Sequence, residues 1–79
     1  MLRLSFESAK KKGQVLEEAE RYFKEIGLVT REKGDCCIHM EGGGGYVRVE
    51  IAENDKTEIT LETREWDYQV RQFAQLYDK

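Results

Sequence analysis

Three consecutive segments in which apolar and polar residues alternate constrain this fold more than any other sequence feature. They run from Cys36 to Glu41, from Tyr46 to Glu53 and from Thr57 to Arg64. A period of two is typical of a β-strand with one buried face. The connecting residues 42–45 and 54–56 are too few for a crossover, which takes a dozen residues or more. The sequence therefore predicts an antiparallel meander.

Two further strands are predicted nearer the N-terminus. Leu2, Leu4 and Phe6 alternate with polar residues, which indicates a strand over residues 2–6. Residues 28–33 form a second short candidate strand. Its connection to the meander is also short, so we expect it to pair antiparallel as well.

Two helices are predicted from apolar residues spaced three and four apart. The first ends at Gly27, which suits a left-handed cap. It begins either at Ser8, whose hydroxyl can cap free amides, or near Gly13. The second is favoured at its start by Asp67. The apolar stripes consist of Val15, Leu16, Ala19, Tyr22, Phe23 and Ile26 in the first helix, and of Trp66, Val70, Phe73, Ala74 and Tyr77 in the second.

The resulting order is β-α-β-β-β-β-α, in a single α+β domain spanning residues 1–79. We expect a two-layer sandwich with a mostly antiparallel sheet and both helices on one face. This order resembles that of the TATA-box-binding-protein-like fold and, more loosely, of small helix-grip domains. The resemblance is one of topology over the whole chain, and no sequence motif carries it. It implies no particular function, because one fold hosts many activities.

Composition excludes some classes of function. The net charge of −3 weighs against a general nucleic-acid binder. No run approaches the ~20 apolar residues of a membrane span, and the N-terminus lacks the apolar stretch of a signal peptide. The only two cysteines, Cys36 and Cys37, are adjacent, and we expect no ordinary structural crosslink between them. We therefore predict a cytoplasmic protein with reduced thiols.

The run from Cys36 to His39 is the first candidate for chemistry. On a strand, Cys37 and His39 share one face, and both are good zinc or copper ligands. A structural zinc site takes four ligands, however, and the chain has no other histidine or cysteine. We therefore predict no metal and no cofactor, with Cys36 as a small core residue. A metal shared between chains and a thiolate activated by His39 stay open.

Two other segments have ordinary structural interpretations. The Gly42–Gly45 run is followed by a strand rather than a helix and lacks a phosphate-loop ending, so we interpret it as a flexible hairpin loop. Lys10–Lys12 is interpreted as a solvated helix start. The alternative, weak nucleic-acid binding through these lysines, lacks interleaved aromatic residues.

No nucleophile or acid–base motif is present, so we predict a non-catalytic binding or protein-interaction domain. The surface is the sheet face left in water, with His39, Tyr46, Arg48 and Arg64 as the binding residues. The expected partner is another protein or a second copy of the chain, because a marginal core gains from a dimer. The alternative is a small ligand between helices and sheet, in a pocket lined by Trp66, Tyr22, Phe23 and Met40.

Overall fold

The computed structural model describes residues 1–77 and confirms a small α+β fold with a five-stranded sheet and two helices. The elements are β1 (Leu2–Ser8), α1 (Lys12–Glu25), β2 (Val29–Lys33), β3 (Cys37–Gly42), β4 (Gly45–Glu53), β5 (Thr57–Arg64) and α2 (Asp67–Tyr77). The sheet order is β1-β5-β4-β3-β2, and every neighbouring pair is antiparallel. Helix α1 therefore carries the chain from one edge of the sheet to the other.

Both helices cover the same sheet face. The ring centroids of Phe23 in α1 and Phe73 in α2 lie 5.5 Å apart, and both side chains are fully buried. The strands contribute the inward residues that alternation predicted. The buried apolar side chains of the sheet and the loop before it are Phe6, Leu28, Ile38, Met40, Val47, Val49, Ile51, Ile59 and Leu61. The opposite face of the sheet carries no helix among the described residues.

The prediction that Ser8 caps α1 is wrong. Ser8 is the last residue of β1, where it pairs with Thr57, and its hydroxyl accepts a hydrogen bond from the amide of Lys10 at 3.1 Å. The residue that precedes α1 is Lys11, which makes no capping hydrogen bond through its side chain. The alternative start near Gly13 is confirmed, because β1 continues for two residues beyond its apolar stripe.

The predicted end of α1 is confirmed. Gly27 adopts a φ of 114°, a region that costs other residues ~1–2 kcal/mol. The reversal lets the amide of Leu28 donate to the carbonyl of Phe23 at 3.0 Å. That bond satisfies a carbonyl which the last helical turn leaves free.

The glycine run forms a tighter connection than the predicted loop. Gly42 pairs with Gly45 in the ladder, so only Gly43 and Gly44 turn the chain. Their φ values of 58° and 82° match a two-residue hairpin turn with positive φ at both central residues. The backbone twist of such a turn agrees with the right-handed twist of the two strands that it joins. The indole of Trp66 donates to the carbonyl of Gly42 at 2.8 Å, which ties the turn to the start of α2.

Within residues 1–77, no helix combines the length and apolar character needed to cross a membrane.

Candidate binding face of the sheet

The sheet side turned away from the helices, termed the open face, presents its side chains in four rows set by the strand register. Successive rows lie two residues apart along each strand, ~6.8 Å. Taken along the strands, the rows are Glu7, Glu58 and Ala52; then Ser5, Thr60, Glu50 and Cys37; then Arg3, Glu62, Arg48, His39 and Glu32; and finally Arg64, Tyr46, Glu41 and Val29.

The four residues singled out from the sequence all lie on this face. His39 on β3 is directly opposite Arg48 on β4, and Tyr46 on β4 is directly opposite Arg64 on β5. The arginines are exposed, whereas the two rings are half-buried. Three adjacent strands thus bring these side chains into one patch.

The two rings form the centre of the patch. His39 and Tyr46 stack with centroids 5.4 Å apart and planes 24° apart. The Tyr46 hydroxyl donates to Glu62 Oε2 at 2.6 Å, and His39 Nε2 lies 3.1 Å from Glu41 Oε2. The hydrogen bond to the Glu62 carboxylate holds the phenolic proton in place, so it raises the pKa of Tyr46. The rings therefore have a defined orientation on a surface that water reaches.

Ion pairs extend this arrangement to both sheet edges. Arg3 on β1 contacts Glu62 at 3.2 Å, and Arg31 contacts Glu41 at 3.2 Å. Arg31 is the extra residue of a bulge in β2. The hydrogen bond from Tyr46 chiefly lowers the pKa of Glu62, with a smaller contribution from Arg3. Contacts thus run from one edge strand to the other.

The inner strands β3, β4 and β5 carry four charged open-face side chains that make no ion pair with any other residue in 1–77: Arg48, Arg64, Glu50 and Glu58. Glu50 is half-buried and the other three are exposed. The two carboxylates, termed the acidic half, lie in the first two rows, and the two arginines, the basic half, lie in the last two. Alternation places Glu50 and Glu58 outward, but only the ion-pair geometry distinguishes them from the other acids of these strands.

Two hollows flank the stacked rings. One, of about 300 Å³, is lined by Glu32, Lys33, Gly34, Cys37, Ile38, His39, Arg48 and Glu50. The other, of about 440 Å³, lies beside the glycine turn and Arg64. At the ring itself, His39 Nδ1 is buried and has no hydrogen-bond partner among the described residues.

The cysteines correct the sequence prediction. Cys36 and Cys37 are joined by a disulfide, whereas we expected reduced thiols. Cys36 is also exposed rather than in the core. The expectation failed because β3 begins at Cys37, so Cys36 lies in the preceding bend and has no inward strand position. Across residues 1–77, no group of three or more histidine, cysteine, aspartate or glutamate side chains is arranged to hold a metal ion.

The residues of the helix–sheet alternative lie in or against the core. Phe23 and Met40 are fully buried. Tyr22 packs edge-on against Phe23 at 5.1 Å. Trp66 is half-buried beside the glycine turn. These side chains fill the space between the layers.

The lysine run is partly engaged by its own chain. Lys10 contacts Glu18 at 3.5 Å and lies 5.0 Å from the centre of the Tyr77 ring. The amide of Lys12 donates to Glu53 at 3.2 Å. Lys11 is exposed.

No protein-family model matches this chain, and no curated protein has a significantly similar sequence.

Proposed function

We propose that this protein is a non-catalytic interaction domain whose open face binds a second copy of the same chain. The observation that supports the proposal is the arrangement of the four inner-strand side chains that make no ion pair within residues 1–77. Two carboxylates lie in one half of the face and two arginines in the other. A face that is acidic in one half and basic in the other is complementary to itself after a two-fold rotation.

The register gives the pairs that such a rotation creates. Consider a two-fold axis that runs across the strands, between the row of Thr60 and the row of Glu62. It reverses the strand direction, so Glu58 of one copy lies over Arg64 of the other. By the same operation, Glu50 lies over Arg48. Each pair occurs twice, which gives four complementary contacts.

The same axis has a favourable effect at the rings. It brings Ala52, which is exposed and small, over the half-buried Tyr46. A small side chain opposite a large one lets two sheet faces interdigitate, as in stacked sheets ~10 Å apart. Apart from His39 Nδ1, the polar atoms of the rings are already hydrogen-bonded within each copy, so covering the rings leaves few further groups unpaired.

The expected association is weak. The sixteen side-chain positions of the four rows, each ~4.8 Å by ~6.8 Å, cover roughly 500 Å² per copy, or about 1,000 Å² in total. That area is at the low end of specific interfaces, and exposed ion pairs contribute only ~0–1 kcal/mol each. We expect a dissociation constant on the order of 0.1 mM, rising with salt because the contacts are charged.

A charge exchange tests the proposal. Arg64→Glu and Glu58→Lys each convert two attractive contacts of the dimer into repulsive ones. Each variant alone should associate about tenfold more weakly, equivalent to ~1.4 kcal/mol. An equimolar mixture of the two should recover the affinity, because the introduced carboxylate of one copy then lies over the introduced ammonium of the other. Sedimentation velocity over a concentration series at low salt measures all three.

Arg71→Glu is the matched control, because it makes the same charge change on the exposed surface of α2. It should leave the association unchanged. A chain that stays monomeric throughout the series contradicts the proposal and directs attention to a different protein as the occupant of the face. Recovery that fails in the mixture contradicts the two-fold pairing.

We also infer that the connectivity is that of the TATA-box-binding-protein-like fold. The β-α-β-β-β-β-α order and the antiparallel meander support this inference. Such a likeness of connectivity would carry no activity with it. The open face has two rings among six acidic side chains, a composition that favours a protein partner over a phosphate backbone.

A further inference from the structure

We propose that the Cys36–Cys37 disulfide is a reactive site, and that it undergoes thiol–disulfide exchange with small thiols that carry a carboxylate. The thiol would occupy the hollow of about 300 Å³ beside Cys37. The proposal concerns the covalent chemistry of one chain and does not depend on the proposed dimer.

The first support is the position of the two sulfurs. Cys36 is exposed, and the half-buried Cys37 lines the hollow. The backbone on both sides of the bond is held in place. The amide of Gly34 donates to the carbonyl of Cys37 at 2.8 Å, and the amide of Ile51 donates to the carbonyl of Cys36 at 2.8 Å. The disulfide is thus presented to solvent from a fixed segment rather than buried as a structural staple.

The second support is the charge of the hollow. Lys33 lines it, but the Lys33 ammonium contacts Glu20 on α1 at 2.8 Å. Arg48 also lines it and makes no ion pair with any residue in 1–77. Its guanidinium is therefore the available cation, and this group binds a carboxylate through two parallel hydrogen bonds. Glu32 and Glu50 complete the rim, so a ligand with several negative charges is disfavoured.

The exchange has two balanced steps. The thiolate sulfur of the small molecule attacks Cys37 Sγ, the disulfide bond breaks, and its electron pair stays on Cys36 Sγ, which takes a proton from water. This forms a mixed disulfide on Cys37. A second small thiol then attacks the sulfur of the bound molecule and releases Cys37 as a thiolate, which is protonated in turn. Two small thiols are oxidised to one disulfide, and the protein disulfide is reduced to two thiols.

The test compares a carboxylate thiol with a neutral one. The oxidised protein, diluted until it sediments as a monomer, is mixed with 3-mercaptopropionate or with 2-mercaptoethanol. Samples are quenched with iodoacetamide, and intact mass measures the loss of the disulfide with time. Rate constants are expressed per thiolate, and for each reagent the ratio of the wild-type to the variant constant is compared, because intrinsic thiolate nucleophilicity cancels in that ratio. Fragment spectra of the peptide that contains both cysteines show which sulfur carries the adduct.

We expect the adduct on Cys37 and a dependence on Arg48 that is specific to 3-mercaptopropionate. Arg48→Gln should lower the 3-mercaptopropionate rate constant about fivefold, as expected for one charge-assisted contact in a solvated hollow, and should change the 2-mercaptoethanol constant by less than about twofold. Arg71→Gln, on α2, should change neither.

Three results overturn the proposal. In the first, Arg48→Gln slows both thiols equally, so the arginine does not select the carboxylate. In the second, the adduct is on Cys36, so the hollow does not deliver the thiol. In the third, the air-oxidised protein alkylates at both cysteines without a reductant, so no disulfide is present to exchange.

Discussion

The contact between β4 and the end of β5 provides a steric test of the fold. A Cβ atom added at Gly45 would overlap the carbonyl oxygen of Arg64 and lie 2.6 Å from Cβ of Glu65. One of these atoms is part of the backbone and the other is bonded directly to it. Neither can move aside by rotation of a side chain, so the backbone at the end of β5 must move. That movement strains the Tyr46–Arg64 pairing at the end of the ladder. Overpacking of this kind costs ~1–3 kcal/mol, and we expect Gly45→Ala to lie near the top of that range.

That cost is large for so small a protein. A stability of ~0.05–0.15 kcal/mol per residue gives this chain about 4–12 kcal/mol in total. With a urea dependence of ~1 kcal/mol per molar, a loss of about 2–3 kcal/mol moves the unfolding midpoint down by roughly 2–3 M. Urea denaturation followed by the fluorescence of the single tryptophan, Trp66, measures the shift.

Two matched glycine variants separate sterics from backbone conformation. Gly34 has no atom within 4 Å of an added Cβ and no positive φ, so Gly34→Ala should be neutral or stabilising by up to ~1 kcal/mol. Gly44 also has open space but a φ of 82°, so Gly44→Ala should cost ~1–2 kcal/mol. If Gly45→Ala unfolds within about 0.5 M urea of the wild type, the close approach of β4 to Arg64 is wrong.

Two further predictions concern pH. The pKa of Glu20 is held below its usual value, chiefly by a hydrogen bond from Lys33 and secondly by one from Thr30. The ionised carboxylate therefore stabilises the fold at pH values above the pKa of the unfolded chain. That stabilisation is lost as the pH falls through the lower pKa of the folded protein. In Glu20→Gln, the free energy of unfolding should therefore decrease less on acidification than in the wild type, by a difference of under about 1 kcal/mol. Urea melts between about pH 6 and pH 3 measure this, and an equal decrease in both proteins would contradict it. Burial, and secondly a hydrogen bond to Glu18, raises the pKa of Tyr77 to about 12. The neutral phenol therefore stabilises the fold fully below the pKa of ~10 that tyrosine has in the unfolded chain. That stabilisation is lost as the pH rises toward the higher pKa of the folded protein. Tyr77→Phe should remove the last phenolate step from an ultraviolet titration and reduce that alkaline loss, and an unchanged titration would exclude the assignment.

The sequence predicted the inward and outward positions of the meander well, and the reason is geometric. In β4 and β5 the apolar residues alternate without exception over the buried stretch from Val47 to Ile51 and from Ile59 to Leu61. A slip of one residue would expose all of them, so one register dominates. Alternation did not predict the end of β1. Ser8 pairs with Thr57, so β1 extends beyond its apolar stripe. Local propensity does not encode a pairing with so distant a residue.

The composition of the candidate site was predictable, but its electrostatics were not. His39, Tyr46, Arg48 and Arg64 follow from alternation and from the short glycine connection. The pairing of the charges depends on contacts between residues far apart in sequence. The hydrogen bond from Arg3 on β1 to Glu62 on β5, for example, joins residues 59 positions apart.

Arg3 and Arg31 of the edge strands form ion pairs with Glu62 and Glu41. These pairs determine which charges of the inner strands make no ion pair within residues 1–77. The complementary halves of the face are therefore a product of tertiary structure. Local sequence alone does not distinguish Glu58 from Glu62, which lies on the same face of the same strand.

The sequence predicted reduced thiols because two adjacent cysteines do not form a disulfide framework and fit a reducing compartment. The structure joins them, with Cys36 exposed and Cys37 half-buried in the lining of a hollow that Arg48 also lines. In a reducing compartment, disulfides are typically transient and participate in catalysis or redox sensing rather than in stability. An accessible disulfide in a hollow lined by an arginine that makes no ion pair within residues 1–77 suits a bond that exchanges with small thiols rather than a buried structural crosslink.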